Sequence, residues 1–438
     1  MMKNEMLRKI ENREIVVGVV GLGYVGLPLA VEKAKAGFKT IGFDVQAQKV
    51  EMVNAGHNYI GDVVDSDLAG IVKSGMLSAT TDFSFVKDVD FVAICVPTPL
   101  DAHQQPDISY VRDSATSVSK YLKKGTMVVL ESTTYPGTTE ELIKPILEQG
   151  SGLKCGEDFY LGFSPERVDP GNKQYKTKNT PKVIGGVGPD STEVAATLYR
   201  NVLEGGVYEV SSPAVAEMEK LLENTYRNIN IGLANEMAII CNRMGINVWE
   251  VIDAAKTKPY GFQAFYPGPG LGGHCIPLDP FYLAWKAREY DYHTRLIETS
   301  GEINTGMPEY VVDRAMKVLN KNKIAMNGAK VLVLGVAYKS DIDDYRESPA
   351  LNVIDRLNEQ GAVTTFYDPY IPEYKHKGVV HTGAKELTDD MLKAADIVII
   401  CTAHACFDYD RIQKCSKEIF DTRNAMKDVK ERSNIELL

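Results

Sequence analysis

Positive charge is in short supply: 49 Lys and Arg against 59 Asp and Glu leave a net charge of −10 over 438 residues. A nucleic-acid backbone or an anionic bilayer is therefore not an expected partner, and any anionic ligand must be held by local groups. Nowhere do 18 apolar residues run together, and Met1 to Asn12 is polar and charged. Neither a membrane span nor a secretion signal is expected, and the cytoplasm is the default compartment. Cysteine is sparse and unpatterned, since Cys95, Cys155, Cys241, Cys275, Cys401, Cys406 and Cys415 form no C-x-x-C pair and no Cys/His cluster at zinc spacing. Reduced thiols, no disulfide framework and no metal site are expected. Tandem repeats, coiled-coil heptads and low-complexity tracts are missing too. What remains, 44% hydrophobic and 25% charged residues, is the composition of a folded globular chain of about two to three domains.

Ile15 to Val20 is a β-branched run that ends directly in Gly21-Leu22-Gly23-Tyr24-Val25-Gly26, after which Leu29, Ala30, Ala34 and Ala36 fall at helical spacing. The order is strand, tight turn, helix. Asp44 closes the next strand, Lys39 to Phe43, at the roughly 20-residue spacing of a ribose-binding acid, and together these features predict a dinucleotide site. The glycines let the backbone approach a pyrophosphate at the positive end of the following helix. A carboxylate at Asp44 suits two ribose hydroxyls and repels a 2′-phosphate. Val45, Gln46 and Ala47 offer no cation to offset it, so NAD is predicted rather than NADP. Further apolar runs at Asp90 to Val96, Thr126 to Leu130, Phe159 to Phe163 and Lys182 to Ile184 alternate with helical or loop segments and predict a parallel sheet covered by helices.

Ala214 to Gly245 reads as one helix of roughly 30 residues, about 45 Å long, with Gly232 its only weak breaker. A second α/β region follows the loop Tyr266 to Pro280. Its strands are expected at Lys330 to Gly335, at Thr364 to Tyr367 before Asp368, and at Asp396 to Cys401. It has Gly335 at its first turn but no G-x-G-x-x-G, so no second dinucleotide is expected. The fold class expected is α/β, with two Rossmann-like doubly wound domains joined by a long central helix and a small helical domain. The domain spans are 1–212, 213–310 and 311–438.

Candidate chemistry concentrates in the loop from Pro267 to Pro280, where glycines clear side chains from around one thiol, Cys275. Asp279 is a natural N-cap and Pro280 a natural first residue for a helix from Phe281 to Tyr290. The thiol thus precedes a helix N-terminus by about one turn, which favours thiolate. The other six cysteines read as small buried structural residues. His274 is the weaker candidate of the neighbouring pair. Lys220 and Asn224 share a helix face, although charged helical residues are usually solvated. Ser164-Pro165-Glu166-Arg167 follows a strand at its carboxyl end, where ligands of open α/β sheets bind, so Glu166 is either a base or a rim charge. Thr98 and Ser132-Thr133-Thr134 follow strands in the same way, with hydroxyls available to a cofactor or a water. Lys173, Lys176, Lys178 and Lys182 read as a solvated surface run.

Three motifs together resemble the UDP-glucose/GDP-mannose dehydrogenase family: GLGYVGLPLA at 21–30, EKLLENTYRNINIGLANE at 219–236 and GPGLGGHCIPLDP at 268–280. SPER and GVAYKSDIDDYRESPA at 335–350 follow in the family's order, and the resemblance covers nearly the whole chain. It implies a four-electron oxidation of a sugar C6 hydroxymethyl group to a carboxylate with two NAD used in succession. Lys220, with a water held by Thr133 and Asp279, would remove the alcohol proton and then polarise the oxyanion. Cys275 would form a thiohemiacetal and then a thioester, to be hydrolysed by water near Glu166 or Asp279. Asn224 would donate to the oxyanion. The cofactor side would comprise Gly21, Gly23, Tyr24, Val25, Gly26, Asp44, Thr98, Thr133 and Arg346. The UDP-sugar side would comprise Glu166, Arg167, Lys220, Asn224, Tyr266, Gly272 and Lys339, the last at the pyrophosphate. The family's long helix implies a homodimer or a dimer of dimers.

The GGHC loop followed by proline and aspartate resembles the branch acting on UDP-N-acetylhexosamines, and its FYPGPGLGGHCIPLDPFYL form with SPERVDPGN upstream points to UDP-N-acetylglucosamine as the substrate. UDP-N-acetylmannosamine and UDP-glucose are the alternatives within the same chemistry. A β-hydroxyacid dehydrogenase would need no thiol and yield one NADH rather than two. A catalytically silent nucleotide-sugar sensor would be expected to lack Cys275 or Lys220.

Overall fold

The computed structural model describes residues 2–61, 63–101, 105–168, 172, 174–273 and 276–438. They form two compact units, Met1–Glu223 with Trp285–Asp291, and Asn224–Ala284 with Tyr292–Leu438. The helix Pro213–Met244 begins in the first unit and ends in the second.

The first unit is built on an eight-stranded sheet of β1 (Val16–Val20), β2 (Lys39–Phe43), β3 (Leu77–Thr80), β4 (Phe91–Ile94), β5 (Met127–Leu130), β6 (Tyr160–Phe163), β7 (Lys182–Gly186) and β8 (Val207–Val210). Its order is β3-β2-β1-β4-β5-β6-β7-β8. Strands β4 to β6 are buried along their whole length, as parallel strands covered on both faces must be. Alternate residues feed two cores: Val17 and Val19 pack with Leu27 and Phe38 on one face, Val20 with Val92 and Ile94 on the other. The order reverses direction between β1 and β4, which makes the carboxyl ends of these two strands a topological switch point.

The expected all-parallel arrangement fails at one junction. β7 pairs antiparallel to β6, through Gly162 with Gly186 and Phe163 with Gly185. A parallel return needs a crossover, usually helical, and the described residues between these strands form no helix. β3 and β8 also escaped the sequence reading. The first is interrupted by Ser78 and Thr80, and the second is an edge strand with no buried residue, so neither carries an apolar run.

In the second unit, β9 (Lys330–Leu334), β10 (Val363–Tyr367), β13 (Ile397–Ile400), β14 (Ile419–Asp421) and β15 (Ile435–Leu437) form a parallel sheet of order β10-β9-β13-β14-β15, and β11 (Glu373–His376) and β12 (Val379–Thr382) form a separate antiparallel pair. A helix over Arg295–Lys321 leads into the sheet. Gly301, Gly306 and Pro308 within it mask its period in the sequence, yet Met307, Val311, Val312, Ala315 and Val318 bury one continuous face. Among the described residues no helix is long and apolar enough to cross a membrane.

Candidate active site

The three fingerprint glycines have three different physical reasons. Gly21 follows β1 at φ +89°, a conformation L side chains rarely adopt, and a Cβ on Gly26 would lie 1.8 Å from the Gly21 carbonyl oxygen. A Cβ on Gly23 would meet no protein atom within 4 Å. Gly21 and Gly26 thus make the turn, and Gly23 leaves open backbone at its crest. No side chain caps the helix Gly26–Lys35 that follows from Val25. Open backbone at an uncapped helix start beside the switch point fits a pyrophosphate. Tyr24 is exposed on the same turn.

Asp44 is buried at the end of β2. Its Oδ2 accepts from Leu22 N and its Oδ1 from Gln46 N, both at 2.9 Å. Each carboxylate oxygen keeps a lone pair for a ribose hydroxyl. Lys49, two residues beyond Ala47, brings Nζ to 3.7 Å from Asp44 Oδ2. The cation absent from Val45 to Ala47 is therefore present nearby.

Thr98 follows β4 and is buried, and Thr133 follows β5 and is half-buried. The turn after β5 is tied to the turn after β4 by Ser132 Oγ, which donates to Val96 O at 2.6 Å. Neighbouring Thr134 is fully buried, and its hydroxyl has no hydrogen-bond partner among the described residues. Glu217 of the long helix secures the far side of this segment by accepting from Gly137 N at 2.6 Å and from Thr139 N and Oγ1 at 2.9 and 2.6 Å.

Glu166 and Arg167 are engaged rather than poised. Glu166 Oε1 accepts from Arg167 N and Val168 N, and its Oε2 lies 3.8 Å from Lys182 Nζ. The Arg167 guanidinium pairs with Glu223 and stands 3.5 Å from Glu219, both on the long helix. Burial and the neighbouring Glu223 push Glu219 up to about 7. Lys220 lies between these acids in sequence and is only 7% exposed, contrary to the solvated reading of a helical lysine. Its ammonium makes no hydrogen bond or ion pair among the described residues.

Sequence reasoning missed a charged cluster behind these loops. Glu131, the residue after β5, is 1% exposed and pairs with Lys182 Nζ at 2.7 Å and Lys33 Nζ at 3.7 Å, with the Tyr199 hydroxyl donating to it. Burial would raise the Glu131 carboxyl, but the two ammonium groups outweigh it and hold it low. Burial lowers Lys33, which has no hydrogen-bond partner among the described residues and sits 5.1 Å from the ring centroids of Phe91 and Tyr199. Lys182 is accordingly no part of a solvated run.

In the second unit Asn224 Nδ2 donates to Asp279 Oδ2 at 2.5 Å, with both side chains buried. Asp279 opens the helix Asp279–Ala287, which continues as a turn to Tyr290. His274 and Cys275 lie outside the described residues. The glycines before them answer to packing rather than to thiol access alone: a Cβ on Gly272 would meet Tyr338 Cβ at 2.6 Å, and one on Gly273 the Tyr338 ring at 2.8 Å. Tyr266 stacks on Trp249 and donates its hydroxyl to Asp253 at 3.0 Å. Lys339 lies in the turn after β9, and the Arg346 guanidinium grips Asp344 through bonds of 2.6 to 3.0 Å. The six described cysteines are free thiols; Cys95, Cys241 and Cys401 are buried, but Cys406 is exposed and Cys155 and Cys415 half-buried, so the uniform buried reading does not hold.

Comparison with known families places the NAD binding domain of the UDP-glucose/GDP-mannose dehydrogenase family on residues 15–203, its central domain on 214–306 and its UDP binding domain on 332–428. The chain belongs to the UDP-glucose/GDP-mannose dehydrogenase family. Among relatives, a UDP-N-acetyl-D-glucosamine 6-dehydrogenase of Pseudomonas aeruginosa is 38% identical over 90% of this chain and 92% of its own length. A UDP-N-acetyl-D-mannosamine dehydrogenase of Pyrococcus horikoshii is 35% identical over 94% and 96%. A solved structure of UDP-D-ManNAc dehydrogenase from the same organism superposes with a TM-score of 0.88 at 33% identity, covering 97% of this chain and 98% of that one. As a member of the family this protein is an NAD-dependent nucleotide-sugar dehydrogenase, and its last α/β region is a UDP binding domain.

Proposed function

We propose that the protein oxidises the C6 hydroxymethyl group of UDP-N-acetylglucosamine to the uronic acid. The observation that carries this is the buried Asn224–Asp279 pair, one helical turn after Lys220, which is itself buried and makes no hydrogen bond or ion pair among the described residues. A lysine without a fixed acid can exchange a proton with a substrate hydroxyl, and an amide oriented by a carboxylate can aim its remaining N–H at a developing oxyanion, a contact worth roughly 3 kcal/mol when preorganised.

NAD supplies the hydride acceptor, twice per sugar. Lys220, with a water shared by Thr133 and Asp279, takes the alcohol proton in the first oxidation. Cys275 thiolate then adds to the aldehyde carbon, and Lys220 and Asn224 stabilise the oxyanion of the thiohemiacetal. Loss of the second hydride leaves a thioester, and water activated by Asp279 or Glu166 cleaves it to the acid and the free thiol. Glu166 already accepts two backbone N–H bonds on Oε1, which leaves Oε2 as its available oxygen. Arg167, whose guanidinium is oriented by Glu219 and Glu223, belongs to the UDP-sugar side. Tyr266, Gly272 and Lys339 form the nucleotide-sugar side. Gly21, Gly23, Tyr24, Val25, Gly26, Asp44, Thr98, Thr133 and Arg346 form the cofactor side. The functional parts are 1–212 for NAD, 213–310 for assembly and 311–438 for UDP.

Met218, Leu222, Tyr226, Leu233, Ile240 and Met244 recur on the long helix at spacings of four and seven and are exposed. Such a stripe supports a homodimer, alone or paired again. Free thiols throughout the described cysteines fit a cytoplasmic setting.

UDP-N-acetyl-D-mannosamine is the second reading, favoured by the 0.88 superposition on an enzyme named for that substrate. Purified protein with NAD and a panel of UDP-sugars, followed by NADH absorbance and acid yield, separates the two. Two NADH per UDP-N-acetylglucosamine, with Cys275→Ala abolishing acid, is the expected outcome. Preference for the mannosamine epimer, or undiminished acid from the alanine variant, refutes the substrate or the thioester route respectively.

A further inference from the structure

The turn after β9 is held by more groups than a surface turn needs. Gly335 has φ +81°, and a Cβ there would lie 2.4 Å from Thr402 Cβ, so this turn is pressed against the one after β13. Asp368 Oδ2 accepts from Val336 N at 2.7 Å and Ala337 N at 3.0 Å, and Thr402 Oγ1 donates to Ala337 O at 2.6 Å. The start of the turn is thereby fixed.

Its far end is fixed by one histidine. His404 has no exposed surface and lies between Tyr370 and Phe407, with ring centroids 5.1 and 5.4 Å away. Its Nδ1 is 3.0 Å from Asp341 N, and its Nε2 is 3.0 Å from Asp368 Oδ2. A backbone N–H can only donate, so Nδ1 must bear the lone pair, and the carboxylate can only accept, so Nε2 must bear the hydrogen. Both ring nitrogens are committed to one neutral tautomer. Asp341 closes the arrangement by accepting from Ala405 N at 2.8 Å through Oδ1, while its own backbone sits at φ +62°. A left-handed aspartate is strained, and it persists here because the two reciprocal bonds hold it.

Lys339 lies midway between Ala337 and Asp341, the two pinned residues. We propose that His404 is a positioning residue that holds the Lys339 turn in the conformation that receives the diphosphate of a nucleoside-diphosphate sugar. The inference rests on the reading of Lys339 given above. Its essential half is the bond from Asp341 N to Nδ1, since the Asp368 carboxylate keeps its four backbone donors without the histidine.

The test uses the full-length protein with UDP as titrant, NADH as an internal control and steady-state kinetics alongside. His404→Phe retains a ring but neither nitrogen, His404→Asn restores an acceptor where Nδ1 stood, and His404→Gln restores a donor toward Asp368. His404→Phe is expected to raise the Kd for UDP and the KM for the UDP-sugar by about tenfold, the loss of one oriented contact, with kcat and the Kd for NADH within about twofold. His404→Asn is expected to recover most of the affinity and His404→Gln little. UDP affinity unchanged in His404→Phe, equal rescue by both amides, or parallel loss of NADH binding overturns the proposal. If the phenylalanine variant does not fold, the order of the two amide variants decides the matter alone. Lys339→Ala separates the layers: unchanged UDP affinity there overturns the reading of Lys339 and the positioning role with it, whereas weakened UDP binding beside a silent His404→Phe overturns only the histidine.

Discussion

Replacing Glu131 with glutamine removes one negative charge from between two buried ammonium groups and changes almost nothing else in shape. At an effective dielectric of about 20, the 2.7 Å contact with Lys182 is a gross attraction of roughly 6 kcal/mol and the 3.7 Å contact with Lys33 roughly 4.5 kcal/mol. Most of that offsets the cost of taking the charges out of water. The net effect of stranding a buried charge is about 3 to 5 kcal/mol. Among the described residues Lys182 then keeps the Pro165 carbonyl at 3.3 Å, Glu166 at 3.8 Å and the Tyr199 ring at 5.2 Å, none of which replaces a contacting carboxylate. For a unit of roughly 200 residues the expected fall in melting temperature is about 6 to 20 °C. Scanning calorimetry and urea unfolding read this directly. The stranded lysines carry depressed folded-state pKa values, so their unfolded forms bind more protons, and stability returns as pH rises through the alkaline range. The deficit of Glu131→Gln against the wild type should therefore shrink between pH 7 and pH 10. Lys33→Met, by contrast, removes an ammonium that burial already disfavours and should cost less than about 1 kcal/mol. A loss below about 1 kcal/mol for Glu131→Gln, or a deficit that grows toward alkaline pH, would refute the reasoning.

The fingerprint glycines separate by substitution. Gly26→Ala forces a Cβ to 1.8 Å from a backbone carbonyl and should unfold the first unit's turn, seen as a lowered melting temperature, whereas Gly23→Ala meets no protein atom and should weaken NADH binding by about tenfold at unchanged melting temperature. The reverse pattern would mean that Gly23, not Gly26, is the packing glycine. Glu219, raised from the ordinary 4.5 to about 7, contributes stability that is full below pH 4.5 and lost as pH climbs through 7. Glu219→Gln should therefore stabilise the protein more at pH 8 than at pH 5. The difference should be about 1 kcal/mol after allowance for the partial exposure of the carboxyl, and equal effects at the two pH values in urea titrations would count against it.

The features legible in the sequence are those written in contiguous residues. Gly21, Gly23, Gly26 and Asp44 announce themselves because strand end, turn and helix start fall within one short segment, and the apolar runs of β1, β2, β4, β5 and β6 are long enough to show. What stayed hidden depends on partners far apart in the chain. Nothing near Arg167 says that Glu219 and Glu223 hold it, and nothing near Lys182 says that it is buried against Glu131. Two weak signals were available: Lys33 interrupts the apolar stripe of Leu29, Ala30 and Ala34, and Glu131 directly continues the apolar run of β5. A charge in such a place is expensive unless paired, so each predicted the other.

The two sheets share one device and put it to different uses. In each, an aspartate at the end of the second strand accepts backbone N–H groups from the turn after the first: Asp44 from Leu22, and Asp368 from Val336 and Ala337. Asp44 takes one N–H on each oxygen and retains lone pairs for a ligand. Asp368 takes Tyr370 N and Ile371 N on Oδ1, and His404 joins the two turn amides on Oδ2, so no acceptor remains for a ribose. The missing G-x-G-x-x-G of the second sheet is thus one half of a physical distinction whose other half is a saturated carboxylate. Recognition of a nucleotide at that turn would then fall to groups beyond the aspartate, and the roles proposed for Lys339 and His404 supply such a group: a cation in place of a free carboxylate, on backbone that the histidine holds.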